Sequence, residues 1–402
     1  MTALWVGRTA PGARILLLEG ARTLGAKILV AGGGRCNVTH DAVSESDYAG
    51  STGPAIRKVL RRFGVTETVR LFRELGVDLK REETGKLFPT TDDARTVLNA
   101  LLHEVRSLGV VLTHPARVEN VGRDESGFVV SGNWGAAHAP RLVLATGGKA
   151  LPKSGSDGAG YRFARAFGHS VTEAVFPALV PLLLPEGHPL RDLAGITFDA
   201  EFRLAGIGLR SDVRFRDSTL CTHFGLSGPS VLNMSRFLTE ARLHVPTAHL
   251  LMNCLPGMTA DAFDRELASG VSATPLSALR GRLPERLARA LCGIASIDPG
   301  ANLRQTAKAS RQRFARSATE LRVEPIGDRG FTHAEATAGG VPLSELHLDT
   351  MESRRQAGLW VVGELCDVDG RIGGFNFQWA WSSGFMAGVA CGVSIVAARR
   401  GQ

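Results

Sequence analysis

The sequence predicts an α/β protein, and three short apolar runs carry that reading. One at 13–18 ends in Glu19. A second at 141–144 ends in Ala145, Thr146, Gly147 and Gly148. A third at 359–362 ends in Gly363 and Glu364. Each run is long enough for one buried strand. Each hands the chain to acidic or small residues at the strand's C-terminal end, which is where open α/β sheets hold their ligands.

In chain order, residues 1–8 read as the end of a helix that Pro11 and Gly12 break. The strand that follows ends in Glu19, placed to accept hydrogen bonds from ribose hydroxyls as the acid of a second Rossmann strand does. Lys27 opens the stretch 27–39. There Gly32, Gly33 and Gly34 let the backbone approach a flat or phosphorylated ligand closely. Arg35 can offset pyrophosphate charge, Cys36 lies inside the motif, and Asn37 offers a donor and an acceptor to a ring edge. Helices are expected at about 54–63, 66–75 and 92–108, with a turn at Lys86-Leu-Phe-Pro89. Strands at 110–113, 116–121 and 127–131 make a small sheet. The strand at 141–144 is the return strand of a dinucleotide domain, and the glycines of 154–160 lead into a helix at 161–167.

From 171 to 255 the texture changes to short apolar or alternating runs at 179–184, 196–204, 209–215 and 243–253, separated by turn residues; this reads as a β-rich inserted domain. Within it, Cys221-Thr-His-Phe-Gly-Leu-Ser-Gly-Pro229 leads into a helix at 229–239. His223 and Ser227 do not make a hydrolase, because the Gly-x-Ser-x-Gly elbow is absent. A structural turn and a role for His223 beside a cofactor stand at even weight. The segment 256–316 is helical with proline breaks, and strand resumes at about 323. Finally, Asp369, Gly373, Gly374 and Phe375 precede a small-residue helix expected from Gln378 toward Ala398. Its free N–H groups would face an anionic or polarised ring edge, with Asn376 as a candidate on the substrate side.

The 402 residues suggest two or three domains. No uninterrupted apolar run long enough for a bilayer stands out, and a cytoplasmic location is expected. The six cysteines lie far apart without a Cys-x-x-Cys pair, which argues for buried reduced thiols and against a zinc knuckle; no metal site is expected. The net charge of +8 is arginine-rich, with a cluster between Arg280 and Arg316. A solvated helical face is the favoured reading of that cluster, and a nucleic-acid face the alternative.

Several motifs in order give the chain a resemblance. They are Ala31-Gly-Gly-Gly-Arg-Cys-Asn-Val-Thr39, Leu144-Ala-Thr-Gly-Gly148, Pro177-Ala-Leu-Val-Pro181, Thr222-His-Phe-Gly-Leu-Ser-Gly-Pro229, Thr337-Ala-Gly-Gly340, Met351-Glu-Ser353 and the segment from Val362 to Gly384. With these the chain resembles the HI0933-like (YhiN-type) family of FAD-binding flavoproteins. The resemblance implies a discontinuous Rossmann-type FAD domain at 1–170 and 325–402. It implies an inserted β-barrel at 171–255, completed by about 317–330, and a helical subdomain at 256–316. FAD would be held by Glu19 and the loop from Gly32 to Asn37, with Gly363, Glu364 and the helix entry from Gly373 to Gln378 along the ribityl chain and ring. Relatives are associated with reduction of unsaturated steroid-type substrates and oxidation of small amines.

The family's members begin with an apolar strand and Gly-x-Gly-x-x-Gly. This chain begins at Met1-Thr-Ala-Leu-Trp-Val-Gly-Arg8, which matches the second half of the helix that follows. About fifteen to twenty residues are therefore expected to be absent, through a start codon assigned too late or through a truncation that impairs cofactor binding. The resulting expectation is an FAD-dependent oxidoreductase that exchanges hydride between flavin N5 and a small organic substrate. NAD(P)H is open as a transient reductant. An oxygen-using amine or ketone oxidase and a flavin-bearing nucleic-acid-associated protein are the alternatives.

Overall fold

A computed structural model describes residues 1–207 and 213–400. The chain divides into two compact units, Met1–Pro177 with Glu335–Gln402, and Ala178–Ala334.

In the first unit, Leu16–Leu18 pairs in parallel with Val111–Thr113. Leu142–Leu144 pairs in parallel with Leu359–Val361, and the antiparallel strands Glu352–Ser353 and Leu346–His347 extend that ladder. The strand Leu359–Val361 is fully apolar and fully buried, as a strand covered on both faces must be. The helix Thr2–Thr9 follows the expected end of a helix. The helices Gly53–Leu60, Val65–Glu74 and Ala94–Ser107 form where apolar periodicity placed them. Asp93 caps the last of these by accepting from the Arg95 N–H.

Three local expectations change, the first being that Val111–Thr113 joins Leu16–Leu18 and not the small sheet of Asn120–Asp124, Gly127–Gly132 and Gly135–Ala139. Lys86–Pro89 is not a turn but the central strand of a three-stranded antiparallel sheet, between Thr39–His40 and Leu79–Arg81. Its proline is tolerated because it is the last residue of the strand. Residues 116–119 stay outside the ladders, and the strand there is Asn120–Asp124, paired with Gly127–Gly132.

The helix Phe375–Arg400 runs through this unit against Thr2–Thr9. Gly384, Gly388 and Gly392 make the approach possible: a Cβ on each would come within 2.8 Å of Met1, 2.6 Å of Trp5 and 2.6 Å of Thr9. Spacing of four residues puts all three on one helix face. Among the described helices it alone is long and apolar enough to cross a membrane, yet half of that stretch is buried in the protein. Asn376, Gln378, Ser382 and Ser383 interrupt its apolar run, and it serves as a core helix here.

The second unit holds a seven-stranded antiparallel sheet. Its order is Leu321–Val323, His249–Asn253, Thr197–Ala205, Arg214–Thr222, Gly225–Ser227, Leu182–Leu183 and Gly327–Asp328. In Thr197–Ala205, Phe198, Ala200, Phe202 and Leu204 alternate inward, the period-two pattern of a half-buried strand. Of the run at 209–215, positions 209–212 lie outside the described residues. The helix after Pro229 extends to His244. The helices Ala260–Ala268, Pro275–Leu279, Glu285–Ile294 and Lys308–Thr319 pack Phe263, Leu287, Leu291 and Phe314 into a core shared with the sheet.

Candidate cofactor site

The stretch 26–39 is helical only at first. After Val30 the backbone turns extended at Ala31, then left-handed at Gly32 and Gly33 with φ of 58° and 70°, and positive again at Gly34 and Cys36. Successive left-handed residues end the helix and turn backbone N–H groups outward, the geometry of an anion-binding concavity. A Cβ at Gly32 would strike the Phe88 ring at 2.8 Å, whereas one at Gly33 would meet nothing within 4 Å. Gly32 is therefore set by packing, and Gly33 faces open space. Asn37 is buried, and among the described residues its Oδ1 is one of three buried side-chain polar atoms without a hydrogen-bond partner, the others being on Trp5 and Trp360. An orphaned buried acceptor is costly and marks a place where a donor belongs.

Arg35 is already engaged. Its guanidinium bonds Glu82 at 2.6 Å, lies 3.5 Å from Asp92 and stacks over Phe88 at 4.0 Å. Cys36 is fully buried, and burial pushes its thiol up to about 12. Cys366 is equally buried and is shifted upward by the same cause. Neither is an activated thiol.

At the other end of the chain, Leu359–Val361 leads into a 3-10 turn at Gly363–Leu365. Gly363 has φ of 67° and nothing within 4 Å of where a Cβ would stand. Its N–H donates to Ser383 Oγ at 3.0 Å, and its carbonyl accepts from Trp379 Nε1 at 3.0 Å. The Glu364 carboxylate accepts from the Thr337 N–H at 2.8 Å on one oxygen and pairs with Lys27 on the other. Thr337 Oγ1 in turn accepts from the N–H groups of Lys149 and Ala150, at 2.8 and 2.9 Å. Four separate stretches of sequence are thereby tied together around Glu364. Lys27 and Glu364 are 337 positions apart.

The same two stretches also meet further along. Trp381 Nε1 donates to the Val38 carbonyl at 2.9 Å. Gly374 is pressed so closely on Thr39 that a Cβ would lie 2.6 Å from its carbonyl carbon. Gln378 is fully buried. Its Oε1 accepts from the Thr39 and Thr68 hydroxyls at 2.6 and 3.0 Å, and its Nε2 donates to the Phe63 carbonyl and to Ser382 Oγ at 3.0 and 3.2 Å. That side chain is committed to the interior. Asn376 is committed too: it bonds both the N–H and the carbonyl of Gly370 at 2.9 Å. Phe375 is buried and stacks on His40. Asp369 is buried in the strand Val368–Gly370. Gly373 is buried with φ of 124°.

Glu19 follows Leu16–Leu18, and its Oε1 accepts from the Ala21 N–H at 2.7 Å; a Cβ on Gly155 would stand 3.3 Å from the same oxygen. Ala145 is exposed beyond Leu142–Leu144. Thr146 sits on Gly160, where a Cβ would overlap its hydroxyl at 1.8 Å. Gly147 and Gly148 likewise press on Ser156 and Thr337. His223 belongs to the second unit, where it is exposed and its carbonyl accepts from Arg191. Among the described residues no group of acids, histidines and cysteines is placed to hold a metal.

Residue-by-residue reading missed Thr39, Thr68, Ser383 and Thr337. Thr39, Ser383 and Thr337 lay inside quoted motifs, Ala31 to Thr39, Val362 to Gly384 and Thr337-Ala-Gly-Gly340, and Thr68 carried no signal. It also missed a buried network in which His169 Nδ1 bonds Glu345 at 2.8 Å and Nε2 bonds Ser353 Oγ at 2.7 Å. Ser353 Oγ also accepts the N–H groups of Arg355 and Gln356. Its lone pairs are used and it is buried, so this Ser–His–Glu set is a brace rather than a nucleophile.

Parallel strands that end in a glycine and an acid, facing a glycine-broken helix, define a Rossmann-type nucleotide-binding unit. The model of the HI0933-like protein Rossmann domain matches residues 1–390. The chain belongs to the HI0933-like family of FAD-binding oxidoreductases. It is 34% identical over 394 residues to a 3-dehydro-bile acid delta(4,6)-reductase of Clostridium scindens, covering 97% of this chain and 95% of that one. It is also 34% identical over 393 residues to a ribosomal RNA dihydrouridine synthase of Escherichia coli, covering 96% and 93%. A solved 3-ketosteroid-delta4-(5alpha)-dehydrogenase from Rhodococcus jostii aligns over 97% of this chain and 94% of that one, with 15% identity and a TM-score of 0.45.

Proposed function

We propose that the first unit binds FAD and that the protein reduces a ring carbon–carbon double bond conjugated to a carbonyl. The observation that carries the FAD reading is the meeting of 27–39 with 363–381, which leaves the left-handed Gly33 and Gly363 open and the buried Asn37 Oδ1 without a partner in the protein. These features fit the group. A buried acceptor suits a ring N–H or a hydroxyl, and bare glycines suit close contact with a flat ring or a phosphate. In this reading Glu19 takes adenosine ribose hydroxyls, the turn Gly32–Gly34 lies along the cofactor, and Asn37 meets a ring edge. Glu364, held by Lys27 and Thr337, takes ribityl hydroxyls. Ala145 to Gly148 flank the site. The first N–H groups of Phe375–Arg400, with no intrahelical acceptor, favour negative charge on the ring. Asp369, Gly373, Gly374, Phe375, Asn376 and Gln378 shape the helix entry, and Arg35 and Cys36 hold the loop.

When bound and reduced by NAD(P)H, the flavin would supply a hydride from N5. The hydride, which carries two electrons and one proton, would add at the carbon β to the carbonyl, and a second proton, from solvent, at the α carbon. The substrate reading rests on the two relatives' names, since forming a dihydrouridine and reducing the Δ4,6 bonds of a 3-dehydro steroid both saturate such a bond. NAD(P)H is the proposed transient electron donor.

The test is anaerobic. The flavin is reduced with NADH or NADPH, then mixed with a 3-oxo-Δ4 steroid or with ribosomal RNA rich in uridine. Reoxidation by either substrate supports the reading. Reoxidation by oxygen alone, with reduction by amines, would replace it with the oxidase reading.

A further inference from the structure

We infer that the helical segment of the second unit is an RNA-binding face. The inference rests on the reductase reading in its uracil-ring form and names the partner that would bring such a ring. Between 256 and 316 the chain carries ten Lys and Arg against five Asp and Glu, so this stretch holds more than half of the net charge of +8. Four of the five acids are spent inside the segment, and the fifth, Asp261, is exposed. Glu266 pairs with Arg282, Glu285 with Arg289, and Asp264 with Arg311; Asp298 accepts from the Gly300 N–H. Among the described residues Arg265, Arg280, Arg304, Lys308 and Arg316 are exposed and have no acid partner.

A solvated helical face would be laced with opposite charges, and this one keeps an excess of one sign. On Lys308–Thr319 the inward residues are Phe314, Ala315, Ser317, Ala318 and Thr319, while Lys308 and Arg316 are exposed, about 12 Å apart along the axis at 1.5 Å per residue. Arg304 stands just before this helix, beside the bare Gly270, where a Cβ would lie 3.0 Å from its Nε. The helix Ala260–Ala268, which carries Arg265, is cross-linked to it by Asp264–Arg311. Flexible cations on one helical layer, in excess over the single unpaired acid Asp261, suit the phosphates of a nucleic-acid backbone. A membrane surface fits less well, since the segment exposes a single large apolar side chain, Val271, and interfacial helices need an apolar face. A small steroid has no use for the excess charge.

The experiment uses the full chain with FAD added. Binding of a fluorescent single-stranded RNA containing uridine is followed by anisotropy across a salt series, for the wild type and for R304E/K308E/R316E. The milder R304Q/K308Q/R316Q guards against misfolding of the reversed variant. Wild-type affinity should fall steeply with salt. The neutralised variant should bind about tenfold or more weakly at low salt, with a log–log slope shallower by about 2, at roughly 0.7 per lost phosphate contact. Flavin content, thermal unfolding and any reoxidation by a steroid enone should be unchanged. Equal RNA binding by wild type and variant would overturn the inference. So would wild-type protein that ignores RNA but sediments with anionic vesicles. Flavin content is read separately, so a colourless protein that binds RNA would defeat the FAD reading and leave this one standing.

Discussion

Replacing one glycine by alanine at two positions separates a cofactor cradle from a packing contact. Gly363 and Gly374 both have positive φ, 67° and 94°, so an alanine at either position would bear the left-handed penalty of about 1–2 kcal/mol. Their surroundings differ. A Cβ at Gly363 meets nothing within 4 Å, whereas one at Gly374 lands 2.6 Å from the Thr39 carbonyl carbon and 2.8 Å from its Cα. Those are backbone atoms of a strand residue and cannot step aside cheaply. Gly363→Ala should therefore lower the melting temperature of the cofactor-free protein by about 2–8 °C, from the dihedral term alone. Its methyl projects into the space assigned to FAD, and overpacking of about 1–3 kcal/mol should weaken FAD binding about tenfold to a hundredfold. Gly374→Ala adds overpacking against protein, so it should lose about 2–5 kcal/mol of stability with or without FAD. Thermal unfolding by circular dichroism gives the first quantity, and titration of the stripped protein by quenching of FAD fluorescence gives the second. An unchanged FAD affinity in Gly363→Ala would refute the assignment of that open space to the cofactor.

Further outcomes follow from the same geometry. Gln378→Ala strands the Thr39 hydroxyl in the core, while Thr68 keeps the Gly64 carbonyl, and should cost about 1–3 kcal/mol in urea unfolding; a loss within about 0.5 kcal/mol would show that the network matters little. Burial of Glu345 works to raise its pKa, and bonds from His169, Ser170 and Arg355 outweigh it, holding the carboxyl below its ordinary range. A depressed folded pKa gives stability that is present above the unfolded value and lost as pH falls through the folded one. Glu345→Gln should therefore flatten the acid side of the stability–pH curve, and an unaltered acid limb would count against the brace. All six cysteines are buried, with thiols shifted upward by burial, Cys221, Cys292 and Cys391 each to about 11. A thiol reagent at neutral pH should label none until the protein unfolds, and fast labelling of Cys36 would contradict its placement.

Much of the fold was legible because it rests on short-range signals. Apolar runs closed by Glu19, Thr146-Gly147 and Gly363-Glu364 gave the strand ends, and periodicity gave the helices. What failed was decided by tertiary partners. Lys86–Pro89 ends in a proline and reads as a turn, yet strands on both sides pair with it. Gly135–Ala139 is a largely exposed strand of small residues, with no alternation to reveal it. Within the site, residue types identified the glycine turn and the acid but not which polar side chains are consumed by the fold. Asn376 and Gln378 looked like ligand contacts. Their amides instead clamp Gly370 and the Thr39–Thr68 pair, because a buried amide near unpaired groups takes the nearest partners. The brace of His169, Glu345 and Ser353 links residues 176 and 184 positions apart, beyond the reach of any local pattern.

The central claim is that the meeting of 27–39 with 363–381 holds a flavin. The most direct measurement is the visible absorption spectrum of the purified protein, before and after titration with FAD. The account predicts oxidised-flavin absorption that stays with the protein through gel filtration, at about one FAD per chain, and that drops in Gly363→Ala. A colourless protein that takes up no FAD under these conditions would contradict it.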